Sequence, residues 1–340
     1  MNDSFNDSIY DGNYDYGDQV CEKEQVVEFG FYTIPVFFSV VITLSLVGNI
    51  LVLVILALYE NLKSLTNIFI LNLAVSDLVF TTGLPFWAIY HIWGWIFSEI
   101  VCKIVTFVFF TGFYSSILFL TIMTIYRYLS VVHPFSGLKT KRFITGVFLS
   151  FLVWMISIGA ALPSLLYSAI IPIPHKGEHT LGCEYESDLL RNIGVSQQNI
   201  FFLFAFIVIS FCYIQILKKI TGARARSHTK NRAVKLVFSI VALFFLGWVP
   251  YNVAIFLRVL AEKLVGPFDD CATSIQIDYA FFVCRLIAFS HCCLNPVFYA
   301  LIGVKFRSHL KSLLHRMFNC RSPDHEQQMR MANISRGSLY

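Results

Sequence analysis

The sequence predicts an all-α membrane protein, a bundle of seven transmembrane helices followed by a short amphipathic eighth helix. Composition, the length of the apolar stretches and the placement of basic residues all favour this fold. Apolar residues make up 56% of the 340 residues and charged residues 14%, whereas soluble domains average about 45–50% and about 25%. The composition therefore disfavours a water-soluble domain.

Seven stretches are apolar over the length that a helix needs to cross a bilayer, about 20 residues. They are too long for the strands of a membrane barrel, and they do not alternate with period two. They lie near 31–58, 67–93, 100–131, 143–168, 197–217, 234–261 and 274–302. The chain is accordingly divided into a tail at 1–30, a seven-helix domain at 31–302, an amphipathic helix at 303–318 and a second tail at 319–340.

Basic residues predict the orientation of the bundle. The joint after the fifth stretch contains no acid and carries Lys218, Lys219, Arg224, Arg226, Lys230, Arg232 and Lys235. The joint after the third stretch and the C-terminal segment are also basic, so the positive-inside rule places all three in the cytosol. We therefore expect a multi-pass plasma membrane protein whose N-terminal tail is extracellular. The net charge of +5 reflects this asymmetry, and no nucleic-acid partner is expected.

The extracellular tail is acidic and is expected to be disordered until it is bound. Tyr10, Tyr14 and Tyr16 lie beside aspartates, among them Asp11 and Asp15, a setting in which tyrosines of the secretory pathway are sulfated. One interpretation is a solvated tail that only keeps the protein soluble. We favour the other interpretation, electrostatic capture of a basic extracellular ligand.

Cysteines and short motifs predict covalent modifications. Four cysteines fall on the predicted outer side, Cys21, Cys102, Cys183 and Cys271. Four cysteines allow three pairings, of which we expect Cys102 with Cys183 and Cys21 with Cys271. Asn2 and Asn6 each begin a glycosylation sequon on the predicted outer side. Cys320 follows the last basic segment, where a palmitoyl anchor and an unmodified thiol are equally compatible with the short motif.

Polar residues inside the predicted helices are functional candidates, because ionisable groups are costly at bilayer depth. Asp77 lies mid-way along the second helix, with Asn49, Ser116 and Asn295 inside the first, third and seventh. Asp77 and Ser116, with polar residues of the seventh helix, could hold a sodium ion, which is the only cofactor expected. The alternative is a hydrogen-bonded knot that packs the helices together.

Arg127 lies at the inner end of the third helix and is expected to reach the cytosolic mouth of the bundle. The alternative is an arginine that snorkels to the lipid headgroups. Trp248 stands just before Pro250, and Tyr299 follows Pro296. Proline permits a kink in a helix, so these bulky side chains are candidates for a switch in which helices swing.

Taken together, the motifs resemble the rhodopsin-like G protein-coupled receptors. The motifs are Gly48-Asn49, Leu-Ala-x-x-Asp at 73–77, Arg127-Tyr128, Trp154, Trp248-x-Pro250 and Asn295-Pro296-x-x-Tyr299. Within that family the acidic tyrosine-bearing tail, the Cys21 and Cys271 pair and the run His291-Cys292-Cys293-Leu294-Asn295-Pro296 resemble chemokine receptors. Segments 64–73, 122–125, 127–132 and 303–307 further resemble the XC subfamily, the receptors for C-class chemokines.

The resemblance implies a lymphotactin-like C-class chemokine as ligand and an inhibitory-class heterotrimeric G protein, coupled through Arg127, that directs cell migration. Arrestin, receptor kinases and membrane lipid are the further partners that it implies. Asn49, Trp248 and Tyr299 would join the sodium residues in activation. Beside the tail, the ligand-contacting residues that it implies are Trp87, Phe109, Glu184, Tyr251, Arg258, Asp278 and Arg285.

Two residues depart from the common chemokine receptor pattern. Tyr126 replaces the acid that usually precedes the arginine of the third helix, and Arg285 replaces a common glutamate of the seventh helix. The XC subfamily is similar in both departures. Because Tyr126 alters the coupling motif, an atypical scavenging receptor that takes up chemokine without activating a G protein is the alternative. A transporter would need a polar path or broken helices, and an enzyme would need an arranged nucleophile and base; neither is expected.

Overall fold

The computed structural model describes residues 24–133, 142–175, 178–222, 245–261, 270–302 and 304–319. Nine helices and one hairpin are found in this part of the chain. The helices are α1, Glu24–Tyr59; α2, Leu65–Trp93; α3, Glu99–Val132; α4, Arg142–Tyr167; α5, Asp188–Gly222; α6, Phe245–Ala261; α7, Cys271–Phe289; α8, His291–Ile302; and α9, Val304–Asn319. The strands are β1, Ser168–His175, and β2, Glu178–Tyr185.

The predicted fold class is confirmed. Within the described ranges, six spans are long and apolar enough to cross a membrane, the last of them running from α7 into α8. The apolar α6, described over residues 245–261, lies within the predicted sixth stretch. The amphipathic α9 follows, with the ring of His309 stacked on that of Tyr59 at 5.1 Å and its Nε2 3.4 Å from a carboxylate oxygen of Glu60.

Some helices are longer than the apolar stretches that predicted them. α1 begins at Glu24 rather than at residue 31, and α5 begins at Asp188 rather than at residue 197. Hydropathy marks the part of a helix that lies in lipid, not the point where its hydrogen bonding begins. The seventh predicted stretch is interrupted at Ser290, because α7 ends at Phe289 and α8 begins at His291.

The β1–β2 hairpin was not predicted from the sequence. Its strands pair antiparallel, with Ser168 opposite Tyr185 at one end of the ladder and Ile170 opposite Cys183 within it. Cys183 forms a disulfide with Cys102 at the start of α3, as expected, with their Cα atoms 5.7 Å apart. The hairpin is thereby fixed over one end of the bundle, called the hairpin end below.

Helix α3 lies at the centre of the bundle. In the most apolar part of α3, 72% of the residues are buried, compared with 22% in α4. The large exposed apolar side chains of α4 suit contact with lipid. Gly112 lets α3 approach α2 closely, since a Cβ there would lie 2.4 Å from the backbone nitrogen of Phe80. Gly48 does the same for α1 and α8, since its Cβ would lie 2.8 Å from Pro296.

Candidate functional site

A cavity of about 660 Å³ lies among the helices beneath the hairpin. Six of the seven predicted ligand-contacting residues line it: Trp87, Phe109, Glu184, Tyr251, Arg258 and Arg285. The seventh, Asp278, lies beside them, because its Oδ1 is 3.4 Å from Nε of Arg258. The structure therefore brings together residues from four helices and one strand that are far apart in the sequence.

Arg258 and Asp278 form an ion pair between α6 and α7. Asp278 is 6% exposed, whereas the Arg258 side chain is 42% exposed, so water screens the pair in part. The guanidinium of Arg258 also lies 4.8 Å from the centre of the Phe281 ring. These two contacts link the hairpin-end halves of α6 and α7.

Arg285 makes its contacts with neutral groups. Its Nη2 donates to Nε2 of His91 on α2 across 2.8 Å. Its guanidinium carbon lies 5.3 Å from the centre of the Phe281 ring and 5.0 Å from that of Phe282. Aromatic faces attract cations, so the charge of Arg285 is stabilised by rings and an imidazole.

Glu184 on β2 reaches down into the same cavity. Its Oε1 accepts a hydrogen bond from the hydroxyl of Tyr90 across 3.4 Å. Burial raises the pKa of the Glu184 carboxyl above its ordinary value, and the guanidiniums of Arg258, Arg191 and Arg285 oppose that rise. The cavity thus contains both cationic and anionic groups.

Sequence reasoning missed Tyr90, His91 and Phe281, which line this cavity, and Phe282, whose ring contacts Arg285. Residues 278 and 285 are seven positions apart, about two helical turns, and therefore lie on one side of a helix. Positions 281 and 282 fall on the same side, so this spacing could have predicted that their rings lie beside Asp278 and Arg285. No comparable signal joins His91 to Arg285, because the two lie on helices that meet only in the folded bundle.

The polar residues predicted at bilayer depth meet at one point. Asp77 is fully buried. Ser116 Oγ donates to Asp77 Oδ1 across 3.0 Å, and Asn295 Nδ2 donates to Asp77 Oδ2 across 2.7 Å. The carboxylate thus connects α2, α3 and α8.

Asn49 joins this cluster through groups that the sequence did not single out. Its Nδ2 donates to the backbone carbonyl of Cys292 across 2.8 Å and to that of Ser45 across 3.0 Å. The hydroxyl of Ser45 lies 2.7 Å from that of Thr81, which donates to the backbone carbonyl of Asp77 across 2.6 Å. A continuous polar network therefore links α1, α2 and α8.

Trp248 separates the cavity from this polar network. It lines the cavity and is 1% exposed. Its ring lies 4.7 Å from that of Phe113, 5.2 Å from that of His291 and 5.5 Å from that of Tyr251. His291 directly precedes Cys292 of the network, so Trp248 is one ring contact away from the polar cluster.

Arg127 lies towards the opposite end of α3, on the side of α9. Tyr126, Tyr213 and Tyr299 are its electrostatic neighbours. Its Nε is buried without a hydrogen-bond partner, and no carboxylate pairs with it in the part of the chain that the structure describes. The arrangement places Arg127 beside the predicted switch residue Tyr299 rather than beside an acid.

Several predicted residues lie outside the described ranges. They are Asn2, Asn6, Tyr10, Asp11, Tyr14, Asp15, Tyr16, Cys21 and Cys320. Cys271 is disulfide-bonded, and its expected partner is Cys21. Within the described ranges, no group of three His, Cys, Asp or Glu residues is arranged to hold a metal ion.

Comparison with known proteins finds similarity along most of the chain. Residues 48–299 match the family described as "7 transmembrane receptor (rhodopsin family)". The chain is 43% identical over 308 residues to chemokine XC receptor 1 of Homo sapiens, which covers 91% of the chain and 89% of that relative. It is 43% identical over 311 residues to the Mus musculus receptor of the same name, covering 91% of each. It is also 38% identical over 310 residues to human C-C chemokine receptor type 1, covering 89% of the chain and 85% of that relative.

Proposed function

Because the chain belongs to the chemokine receptors of the rhodopsin family, we propose that it binds a C-class chemokine and activates an inhibitory-class heterotrimeric G protein. It is a multi-pass plasma membrane receptor and not an enzyme. The observation that carries the choice of ligand class is the 43% identity to the XC receptors over 91% of the chain, compared with 38% to a C-C receptor.

The hairpin end faces outward in this proposal, and the α9 end faces the cytosol. The basic joints support that orientation through the positive-inside rule. The acidic tail, with Tyr10, Tyr14 and Tyr16 sulfated and Asn2 and Asn6 glycosylated, captures the basic face of the chemokine. Its disulfide from Cys21 to Cys271 would hold the tail beside the start of α7, next to the cavity.

The chemokine's amino-terminal segment then enters the cavity and acts on Trp248. Contacts of Trp248 with His291 and Tyr251 support this route, because a ring packed on both sides transmits a displacement to its neighbours. The polar network around Asp77 lies directly beyond and ends at Asn295, four residues before Tyr299. Coupling requires two discrete packings of these groups that the ligand binds unequally.

A sodium ion at Asp77 is proposed to favour the resting packing. The residues fit a small hard cation in part: Asp77 is a fully buried carboxylate, and its Oδ1 lies 3.0 Å from the oxygen of Ser116. Oxygen ligands are what such cations prefer. Asn295 holds the other carboxylate oxygen in place through its Nδ2, and the bound ion would supply the positive charge that the pocket lacks.

Arg127 is the proposed contact for the G protein at the cytosolic mouth. Arrestin and receptor kinases are proposed to act at the same face, with Cys320 palmitoylated and α9 lying on the lipid surface. The amphipathic sequence of α9 and its contacts with Tyr59 and Glu60 support that placement. In the resting state, packing around Trp248 and Tyr299 substitutes for the missing acid before Arg127.

A scavenging receptor is the second candidate function. Tyr126 in place of an acid favours it, together with the lack of a carboxylate beside Arg127 in the described residues. The two functions are separated by adding a panel of chemokines to cells that display the chain and recording binding, uptake and the fall in cyclic AMP. Binding of the C-class chemokine with a dose-dependent fall in cyclic AMP supports signalling. Uptake without that fall supports scavenging.

A further inference from the structure

Arg285 is a cation held deep in the cavity by neutral groups. It lies on α7 about four turns beyond Cys271. A guanidinium has no acceptor, so in its 2.8 Å contact His91 Nε2 must be the acceptor. An imidazole that accepts at Nε2 is neutral. The other close groups are the faces of Phe281 and Phe282, so none of these partners cancels the charge.

The carboxylates near the cavity are held by other residues. Asp278 pairs with Arg258 across 3.4 Å, and Glu184 accepts from Tyr90 across 3.4 Å. Within the described ranges no carboxylate lies at ion-pair distance from Arg285. Glu184 attracts this guanidinium at longer range, and no described acid forms an ion pair with it.

Two of the described residues that line the cavity have a buried hydrogen-bond donor without a partner. Arg285 and Trp87 line it, and the buried atoms Arg285 Nε and Trp87 Nε1 have no acceptor among the described residues. Among the described residues that line the cavity, no buried side-chain oxygen lacks a hydrogen-bond partner. Since a buried donor without an acceptor is costly, the cavity favours a ligand that presents acceptors, and at Arg285 an anionic one.

We infer that Arg285 binds a carboxylate of the ligand's inserted segment, with His91 orienting the guanidinium and Trp87 donating to the same segment. A planar carboxylate matches the fork of a guanidinium and makes a strong charge-assisted hydrogen bond. In a chemokine this group is an aspartate or glutamate side chain near the amino-terminus. The inference rests on the proposed function, because it names what the cavity recognises in the chemokine.

The test is a cycle between receptor and ligand variants. The receptor carries Arg285→Gln, and the C-class chemokine carries each amino-terminal acid changed to its amide. Each single change is expected to weaken binding by about tenfold or more. For the chemokine acid that contacts Arg285, the two changes combined are expected to weaken binding no more than either change alone, since both remove the same contact. Binding is read on intact cells at equal surface display.

Two further receptor variants separate charge from packing. Arg285→Lys keeps the cation and is expected to recover part of the affinity. Lys103→Gln is the matched control, because Lys103 is a surface cation near the hairpin end that pairs with Glu99 across 2.7 Å outside the cavity. Its removal is expected to change binding by less than about twofold, as is usual for exposed pairs.

The acid could also come from the receptor's own tail rather than from the ligand. A receptor with Asp11→Asn, Asp15→Asn and Asp18→Asn distinguishes the two sources. If the ligand supplies the acid, Arg285→Gln costs the same affinity in this background. If that cost disappears, the tail supplies the carboxylate and the inference is overturned.

The experiments with chemokine variants use the wild-type receptor, so their outcome does not depend on whether receptor variants fold. Amide-substituted chemokines that all bind the wild-type receptor as tightly as the parent contradict the inference, as do strictly additive losses in the cycle. Failure of the C-class chemokine to bind at all contradicts the proposed function instead. The cycle is then run with whichever chemokine of the panel binds, and non-additivity again decides whether Arg285 reads an acid.

Discussion

The side-chain amide of Asn295 on α8 donates a hydrogen bond to the Asp77 carboxylate on α2 across 2.7 Å, although the two residues lie 218 positions apart in the sequence. Ser116 donates to the other oxygen of the same carboxylate across 3.0 Å. Both oxygens are therefore engaged by neutral donors from α8 and α3. Any change in the relative position of these helices therefore alters the surroundings of one buried carboxylate.

Sodium is expected to weaken agonist binding through Asp77. An effector that couples two sites typically shifts affinity by about 5–150-fold, so we expect chemokine affinity to fall several-fold when sodium replaces an organic cation at equal ionic strength. Asp77→Asn should abolish the dependence because it removes the charge that holds the ion. Ser157→Ala is the control, since among the described residues the Ser157 hydroxyl donates to the backbone carbonyl of Val153 within α4 and lies outside the Asp77 cluster. Unchanged sodium sensitivity in Asp77→Asn would count against the site.

The disulfides are expected to have different roles. Cys183→Ser frees the hairpin from α3 and should strongly reduce surface display, because the bond joins cysteines 81 positions apart in the sequence and fixes the hairpin over the cavity. The double variant Cys21→Ala, Cys271→Ala should remain displayed but bind chemokine more weakly. Cys284→Ala, a free half-buried thiol, is the matched control. Full chemokine affinity in the double variant would refute the proposed role of the tail disulfide.

The acidic tail is expected to act on the association rate. Electrostatic attraction reaches about 8–10 Å in physiological salt, so Asp11→Asn, Asp15→Asn and Asp18→Asn together should slow association more than they speed dissociation. Binding kinetics at two salt concentrations measure both rates. A variant in which only dissociation changes would show that the tail makes short-range contacts instead of capturing the ligand.

The crossing of α2 and α3 is expected to tolerate no side chain at Gly112. Its Cβ would lie 2.4 Å from the backbone of Phe80, and backbone cannot give way as a flexible side chain does. Overpacking typically costs about 1–3 kcal/mol, so Gly112→Ala should lower the melting temperature of the purified receptor by several degrees. Gly159→Ala, where a Cβ meets nothing within 4 Å, should not. Equal melting temperatures would contradict the packing.

The sequence predicts the fold well because the bilayer constrains it. Only helices of sufficient length satisfy the backbone in lipid, so hydropathy alone locates the six spans and the apolar α6 of the described residues. The cluster of Asp77, Ser116 and Asn295 is predicted for a related reason, since polar groups at bilayer depth must find one another. The disulfide of Cys102 with Cys183 is likewise found as expected.

The parts that the sequence did not predict depend on contacts between distant elements. The hairpin lies outside the bilayer, where hydropathy carries little information about structure. The helical residues of α1 that precede residue 31 and the break at Ser290 are set by hydrogen bonding rather than by hydropathy. His91 meets Arg285 only because α2 and α7 converge at the hairpin end, and a single sequence contains no signal of that meeting.

In spite of Tyr126, we expect the receptor to be an ordinary, ligand-dependent signaller. Tyr126 removes one restraint on Arg127 among several, and a partly exposed ion pair is often worth under about 1 kcal/mol. Tyr126→Asp should therefore lower basal signalling slightly and leave chemokine binding nearly intact. Arg127→Ala should remove G protein coupling while chemokine still binds at the surface.

G protein activation by the C-class chemokine, measured with and without ligand in the wild type, Tyr126→Asp and Arg127→Ala, tests this claim most directly. The account predicts low basal activity and a strong ligand response in the wild type, the same response in Tyr126→Asp and none in Arg127→Ala. A wild-type receptor that binds and internalises the chemokine without any G protein response would contradict it.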